Sequence, residues 1–238
     1  MLLLHSVAQR RRRPEIMDLP DLAMERHLHA LRGLERINRW SGSARLLWGP
    51  IGARAQSHSV QTWRLLDVAT GGGDIPIRLW HQARRAGLKL EIAGCDRSPQ
   101  AVEYARQRAA GSRADVHFFE WDVLQNGVPG RYDIVASSLF LHHLEEGQAV
   151  ALLQAMAGAA QRLVLINDLV RSRAGYALAY LGTRVLSTSD VVHTDGPRSV
   201  EGAFTVAELV ALARQAGLDE VRVTRRWPCR MLLEWERP

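Results

Sequence analysis

Leu65-Leu66-Asp67-Val68-Ala69-Thr70-Gly71-Gly72-Gly73-Asp74 holds the most informative turn of the chain. Leu65, Leu66 and Val68 make an apolar run of the kind found in strands covered on both faces. Three glycines follow, and a helical pattern opens at Asp74. Glycine tolerates positive φ and lets a ligand approach the backbone, and a helix N-terminus offers unpaired N–H groups. By itself this strand, turn and helix implies a nucleotide-like ligand and no more. The G-x-G-x-x-G dinucleotide fingerprint is met only in part: Gly71 and Gly73 are present, but the third position is Pro76.

Around this unit, short apolar runs at 63–69, 90–95, 116–119, 132–137 and 163–167 alternate with helical patterns at 74–85, 98–110 and 145–157. Such alternation predicts an α/β fold, doubly wound, with a mostly parallel sheet. Two further runs, 221–224 and 231–235, flank Trp227-Pro228 with no room for a crossover helix. They must pair antiparallel, which brings the sheet to seven strands. Ser98 reads as an N-cap with Pro99 at the first helical position. Thr205-Val206-Ala207-Glu208 reads as a capping box with Phe204 and Leu209 as its staple, and Gly217 ends that helix. Upstream, Met24, Leu28, Leu31 and Leu34 share one helical face, while 38–52 reads as a loop with short helical turns. Residues 168–204 form a long connection, expected to be a lid-like insertion. It is helix-like over 173–186, then polar over 187–198 with a hinge at Gly196-Pro197. The organisation expected is a disordered basic tail over 1–16, a helical cap over 17–60 and an α/β domain over 61–238.

The 238 residues, 47% hydrophobic and 24% charged, suit one large globular domain. Lys and Arg total 31 against 25 acidic residues, a formal charge of +6. Lys89 is the single lysine, a bias that points to a GC-rich bacterial genome. That bias excludes two chemistries. Lys89 follows no glycine-rich turn, so no phosphate-binding loop is present. Its setting, Gly87-Leu88-Lys89-Leu90, reads as a turn entering a strand and not as a Schiff-base site. Arg10 to Arg13 and Glu15 give the tail a net charge of +3, half of the total, and Met17 reads as an alternative native start. The basic excess therefore says little about the folded part, and no aromatic-rich basic platform for nucleic acid is present. Cys95 and Cys229 are far apart and outside any metal-ligand spacing, which suggests a reducing cytoplasm. No apolar run reaches the length of a membrane span. Neither His-Glu-x-x-His nor Cys-x-x-Cys occurs, so no metal ligand is expected.

Three later stretches carry polar residues to strand ends. They are Ile92-Ala93-Gly94-Cys95-Asp96-Arg97-Ser98, Phe118-Phe119-Glu120-Trp121-Asp122-Val123, and the strand ending at Ser138, which runs into Leu139-Phe140-Leu141-His142-His143-Leu144. An acid at the end of the second strand is placed to accept ribose hydroxyls. With the glycine turn, these motifs in this order resemble the class I S-adenosylmethionine-dependent methyltransferases over about residues 60–238. Asp-Val-Ala-x-Gly-x-Gly-Asp is similar to the ubiquinone and menaquinone biosynthesis C-methyltransferases and related small-molecule enzymes. The resemblance implies S-adenosyl-L-methionine as cofactor. It implies that the backbone at Ala69, Gly71 and Gly73 holds the methionine moiety, with Asp67 and Gly72 nearby. Asp96 would bind both ribose hydroxyls, with Arg97 beside the adenine. Asp122 would accept from the adenine amino group, the Val123 amide would face the ring, and Ser138 would close the pocket under the methionine end.

Asn38-Arg39-Trp40-Ser41 does not match the signature typical of the quinone enzymes. Ser138-Leu139-Phe140-Leu141 stands where nucleobase- and glutamine-methylating enzymes carry Asn-Pro-Pro-aromatic. The expectation is methyl transfer to a small hydrophobic acceptor, as in bacterial secondary metabolism. O-methylation of a phenolic or polyketide-like hydroxyl is preferred. C-methylation of a quinone-type ring is the alternative, and a nucleic-acid-binding protein using its basic tail is the alternative of a different class. A nicotinamide-dependent oxidoreductase would need a pair such as Tyr-x-x-x-Lys, and Arg85 stands four residues before Lys89. Displacement at an activated sulfonium gains most from alignment, and a phenol also needs a base tuned near neutral pH. His143, just past the fourth strand, is the expected base, and His193 in the long connection is its rival. His142 reads as a packed neighbour, Asp122 equally as a helix cap, His27 and His29 as exposed residues without a role, and Arg230 as part of a half-exposed strand. The oligomeric state stays open, a homodimer included.

Overall fold

The computed structural model describes residues 7–19, 21–56 and 62–238. Residues 1–6 of the expected tail and 57–60 of the expected cap lie outside the described residues. The strand β1 (Trp63–Val68) runs through the centre of the fold. Leu65 and Leu66 are both fully buried, yet on opposite sides, because successive side chains of a strand alternate. Leu66 and Val68 pack with Leu152 and Leu153 of α6 (Glu146–Ala159) and Leu209 of α9 (Val206–Gln215). Leu65 packs with Leu47 and Ile51 of α2 (Ser43–Gln56) and Ile75 and Leu79 of α3 (Asp74–Arg85). Each such leucine contributes roughly 1.5–3 kcal/mol relative to exposure.

Among the described residues seven strands form one sheet. The strands β2 (Leu90–Asp96), β3 (Val116–Glu120), β4 (Tyr132–Ser138) and β5 (Ala160–Leu169) form parallel ladders with β1 and with each other. The last two, β6 (Arg222–Arg226) and β7 (Arg230–Glu236), pair antiparallel, and β7 also runs antiparallel to β5. The order is β3-β2-β1-β4-β5-β7-β6, the doubly wound arrangement expected. It reverses between β1 and β4, which opens the crevice where ligands of such sheets bind. The caps read from sequence are present. Ser98 accepts the Ala101 N–H at the start of α4 (Pro99–Ser112), and Thr205 and Glu208 form the capping box of α9.

Three expectations change. Residues 38–52 are not a loop: α1 (Met24–Trp40) is followed at once by α2. Pro50 removes a ladder donor inside α2, but Ala44, Leu47, Ile51 and Ala55 fall on one buried stripe, and packing overrides propensity. The connection 168–204 is two helices, α7 (Arg173–Leu186) and α8 (Asp190–Gly202), and the expected hinge at Gly196-Pro197 lies inside α8 with Pro197 buried. Residues 7–16 are not a free tail. The Arg11 N–H donates to the Glu201 carbonyl at 2.9 Å. Arg10 donates to the carbonyls of Gly202 (2.7 Å) and Leu144 (2.6 Å) and lies over the Phe204 ring. Arg12 pairs with Glu145 at 2.6 Å. The side chains of Arg10 and Arg12 are engaged within the protein.

Asp195 explains why polar residues occupy α8. Its two oxygens accept the N–H groups of Ile16 (2.9 Å) and Met17 (3.0 Å). Asp195→Ala strands both donors, at a cost on the order of 1–3 kcal/mol. The variant should unfold at lower urea concentration, and trypsin should cut the folded protein faster after Arg10 to Arg12. An unchanged cleavage rate would mean that Asp195 is not what holds this segment.

Candidate active site

The carboxyl ends of β1 to β4 open on one cleft of about 1070 Å³. Ala69 and Gly71 both have positive φ, 55° and 53°; for alanine this is a strained conformation of the kind that collects at functional sites. A side chain at Gly71 would meet nothing within 4 Å, whereas one at Gly73 would come 2.6 Å from the Phe118 ring. Gly71 therefore leaves the backbone open to a ligand. Gly73, whose φ is 71°, also lets α3 start close against β3.

Asp96 fastens this loop. Its Oδ2 accepts the Gly71 N–H at 2.8 Å and its Oδ1 the Ser98 N–H at 2.9 Å, which leaves each oxygen further acceptor capacity. Asp67 is fully buried. Its Oδ2 accepts the Thr70 hydroxyl at 2.7 Å, and its Oδ1 has no partner. Burial pushes this carboxyl up to about 7, with the Thr70 bond pulling the other way. Burial likewise raises Asp74 to about 6, against the pull of Arg108. The Ser138 hydroxyl is buried without a partner. Asp122 is a helix cap and a cleft residue at once. Its Oδ1 accepts from Leu124 and Gln125 at the start of α5 (Val123–Asn126), and Asp122 and Val123 both line the cleft. Arg97 lies at the rim, 3.6 Å from Asp18.

The far wall holds two histidines in a frame of carboxylates. His142 is buried, with Nδ1 2.7 Å from Asp168 Oδ1. His143 is half-buried, with Nδ1 3.1 Å from Asp18 Oδ2. The two Nε2 atoms stand 3.6 Å and 3.8 Å from the two oxygens of Glu15. Burial alone would lower the His143 ring. The Asp18 hydrogen bond and the charges of Glu15, Asp18 and Asp168 outweigh it and lift the ring to about 9. His143 is thus an imidazolium at neutral pH, which does not suit the role of a free base expected for it. His193 is remote from this wall: its Nε2 lies 2.7 Å from the Ser187 carbonyl, and it is not among the residues lining the cleft. His27 does line the cleft, and burial lowers its ring against the Asp96 charge. Arg230 is buried in the cleft wall and donates to the Ser41 hydroxyl at 3.0 Å. His27, read as exposed and without a role, and Arg230, read as half-exposed, both prove to line the cleft. No sequence pattern marked Glu15, Asp18 or Asp168, because no spacing links residues that only the fold brings together.

Residues 65–162 match the methyltransferase domain family. The match runs from the β1 turn through the ends of β2 to β4, and a methyltransferase domain there implies S-adenosylmethionine as the methyl donor. The chain is 34% identical over 117 residues to the demethylmenaquinone methyltransferase of Deinococcus radiodurans, covering 48% of this chain and 46% of that protein. It is 26% identical over 158 residues to the ubiquinone biosynthesis O-methyltransferase of Bordetella parapertussis, covering 66% of this chain and 62% of that protein. The matches thus span less than two thirds of these relatives. The fold is shared with magnesium protoporphyrin IX methyltransferase of Synechocystis PCC 6803, solved with bound SAH. The TM-score is 0.58 at 18% identity, covering 83% of this chain and 84% of that one. The methyltransferase domain fits its cofactor on its own geometry. The open Gly71 backbone, the unpartnered Asp67 and Ser138 oxygens and the remaining acceptor capacity of Asp96 suit a ligand with a cationic end and ribose hydroxyls.

The raised Asp67 gives a pH signature. Its folded value lies above the unfolded one, so its contribution favours the fold fully below about 4 and is lost as pH rises through about 7. Asp67→Asn cannot ionise and keeps an acceptor for Thr70. The stability difference between variant and wild type should therefore grow in favour of the variant from pH 4 to 7 and then level off. The full change is on the order of 4 kcal/mol, at 1.36 kcal/mol per unit. Calorimetry without ligand is the check, and a pH-independent difference would refute a buried ionising carboxyl.

Proposed function

We propose that the protein methylates an oxygen of a small, largely apolar acceptor bearing an ionisable hydroxyl, phenolic or polyketide-like. The size of the cleft is the observation that carries this reading. Sites for a single small ligand run to roughly 300–1,000 Å³, so about 1070 Å³ leaves room for a cofactor and an acceptor side by side. On the glycine side, the backbone at Ala69, Gly71 and Gly72 receives the methionine end, with Asp67 and Ser138 beside it. Asp96 accepts the ribose hydroxyls, Asp122 and the Val123 amide meet the adenine, and Arg97 covers its edge. When bound, S-adenosylmethionine supplies a methyl group already activated on a sulfonium.

The acceptor side is formed by Leu31, Leu34 and Ile37 of α1 and by Leu178, Ala179 and Leu186 of α7. These apolar walls exclude water and align the acceptor, which supplies most of the acceleration. The polar end of that side is the Glu15, His142 and His143 wall, and the acceptor hydroxyl is placed there to lose its proton. The relatives named for ubiquinone and menaquinone biosynthesis support a ring-bearing acceptor, and the one named an O-methyltransferase supports oxygen.

Three measurements test this. Asp96→Asn should weaken S-adenosylhomocysteine binding at least about tenfold by calorimetry, since hydrogen bonds to a charged group contribute roughly 1.5–3 kcal/mol each. A panel of phenols and hydroxyquinones with labelled donor should yield O-methyl products by mass spectrometry and NMR. His142→Ala should lower turnover roughly 10²–10⁴-fold with S-adenosylhomocysteine affinity kept within a few-fold. Methyl on ring carbon, or normal turnover by His142→Ala, would refute the acceptor assignment.

A further inference from the structure

Glu15 and the pair His142-His143 are more than 120 residues apart in the chain, yet one ligand atom of each lies within 4.8 Å of the others. We propose that these three side chains bind a divalent transition-metal ion of the zinc class. The orientation of the rings is the first reason. Both histidines turn Nδ1 to a carboxylate, Asp168 for one and Asp18 for the other, and turn Nε2 to Glu15. Metal-ligating histidines are held in this way, with the far nitrogen donating to a carboxylate that fixes tautomer and direction.

The spacing is the second reason. At 3.6 Å and 3.8 Å, the Nε2 to carboxylate distances are too long for hydrogen bonds. Each runs to a different oxygen of Glu15, Oε1 for His142 and Oε2 for His143. Each is near the roughly 3.4 Å that separates two ligand atoms of a tetrahedral site with bonds of about 2.0–2.2 Å. Two imidazoles and one carboxylate are also the ligand set of catalytic zinc sites that keep a position open.

Charge is the third reason. A ligating imidazole is neutral, so metal binding displaces the proton of His143. Glu15, Asp18 and Asp168 then face both rings with Arg97, 3.6 Å from Asp18, as the cation paired to them, which leaves negative charge for a dication to offset. Arg12, Arg13 and Arg198 line the small cavity of about 30 Å³ beside the cluster. Each is drawn to a different acid: Arg12 to Glu145 (2.6 Å), Arg13 to Glu201 (3.8 Å) and Arg198 to Asp195 (3.9 Å).

Glu15, His142 and His143 also line the large cleft, so the open position of the ion faces the acceptor. Its catalytic use rests on the proposed O-methylation. An acceptor hydroxyl that ligates the ion releases its proton to water, and its oxygen then forms the O–CH3 bond as the C–S bond of the donor breaks. The ion changes no oxidation state.

Tag-free protein stripped with chelator and titrated with Co²⁺ at pH 8 is the test. One ion per chain with the visible absorption of a four-coordinate site is expected, displaced by Zn²⁺. Glu15→Gln and His143→Ala should abolish the spectrum. Asp18→Asn, at the half-exposed carboxylate behind His143, should weaken binding roughly 10–100-fold, and His193→Ala should leave it unchanged. S-adenosylhomocysteine affinity, measured on every variant, shows that the fold persists. Absence of the spectrum in wild type, or its persistence in Glu15→Gln and His143→Ala, would overturn the site. If the ion binds there but chelation leaves methylation of a phenol unaffected, its catalytic use falls while the methyl-transfer reading stands.

Discussion

A parallel strand buried on both faces has nowhere to put a polar side chain except its ends, and the whole site follows from that constraint. β1 to β4 are apolar where the helices cover them. The polar groups that line the cleft, Asp67, Asp96, Asp122 and Ser138, gather where the chain leaves the sheet. The bond from the Gly71 N–H to Asp96 ties the exit of β1 to the exit of β2. It sets the distance between a turn that exposes backbone and a carboxylate that keeps acceptor capacity.

The N-terminal segment supplies what the sheet cannot. Asp195 grips its backbone, Arg10 grips the turn around His142 and Leu144, and Glu15 and Asp18 are thereby carried to the two histidines. Ser199 reinforces this by donating to Glu15 at 2.6 Å. The contacts that hold residues 10–18 to the domain are therefore the contacts that complete the acceptor wall, so stability and site assembly are coupled in this segment.

The legible part of the sequence was the part governed by local rules. Strand and helix alternation gave the sheet, and the residues at Ser98, Thr205 and Glu208 gave the caps, because those signals span a few residues. The two-sided burial of β1 could likewise be read from Leu65 and Leu66. Illegible were features decided by distant partners. Pro50, Gly49 and Gly52 argue against a helix until the buried stripe of Leu47 and Ile51 is weighed. Arg10, Arg12 and Arg13 look like a solvated tail because their acceptors are carbonyls and acids at 142–145 and 201–202, more than 120 residues away. Among the glycines the motif marks the turn but not the packing: only the neighbouring Phe118 ring reveals that a side chain at Gly73 would collide with β3. His143 was found by its place after β4, but its charge state depends on Asp18 and Glu15, which no motif connects to it.

On the proposed reading, charge alternates along the cleft. Asp67, Asp74 and Asp96 are raised by burial on the donor side, so that a cationic ligand is what favours their ionised forms. The acceptor wall carries carboxylates too, and a phenolate set directly against Glu15, Asp18 and Asp168 would be repelled. A negative acceptor oxygen can form there only if a positive group stands between it and those acids. The imidazolium of His143 is one such group, and a dication held by both Nε2 atoms and Glu15 is a stronger one. The histidines then act by placing positive charge beside the acceptor oxygen, opposite a sulfonium that is itself backed by carboxylates.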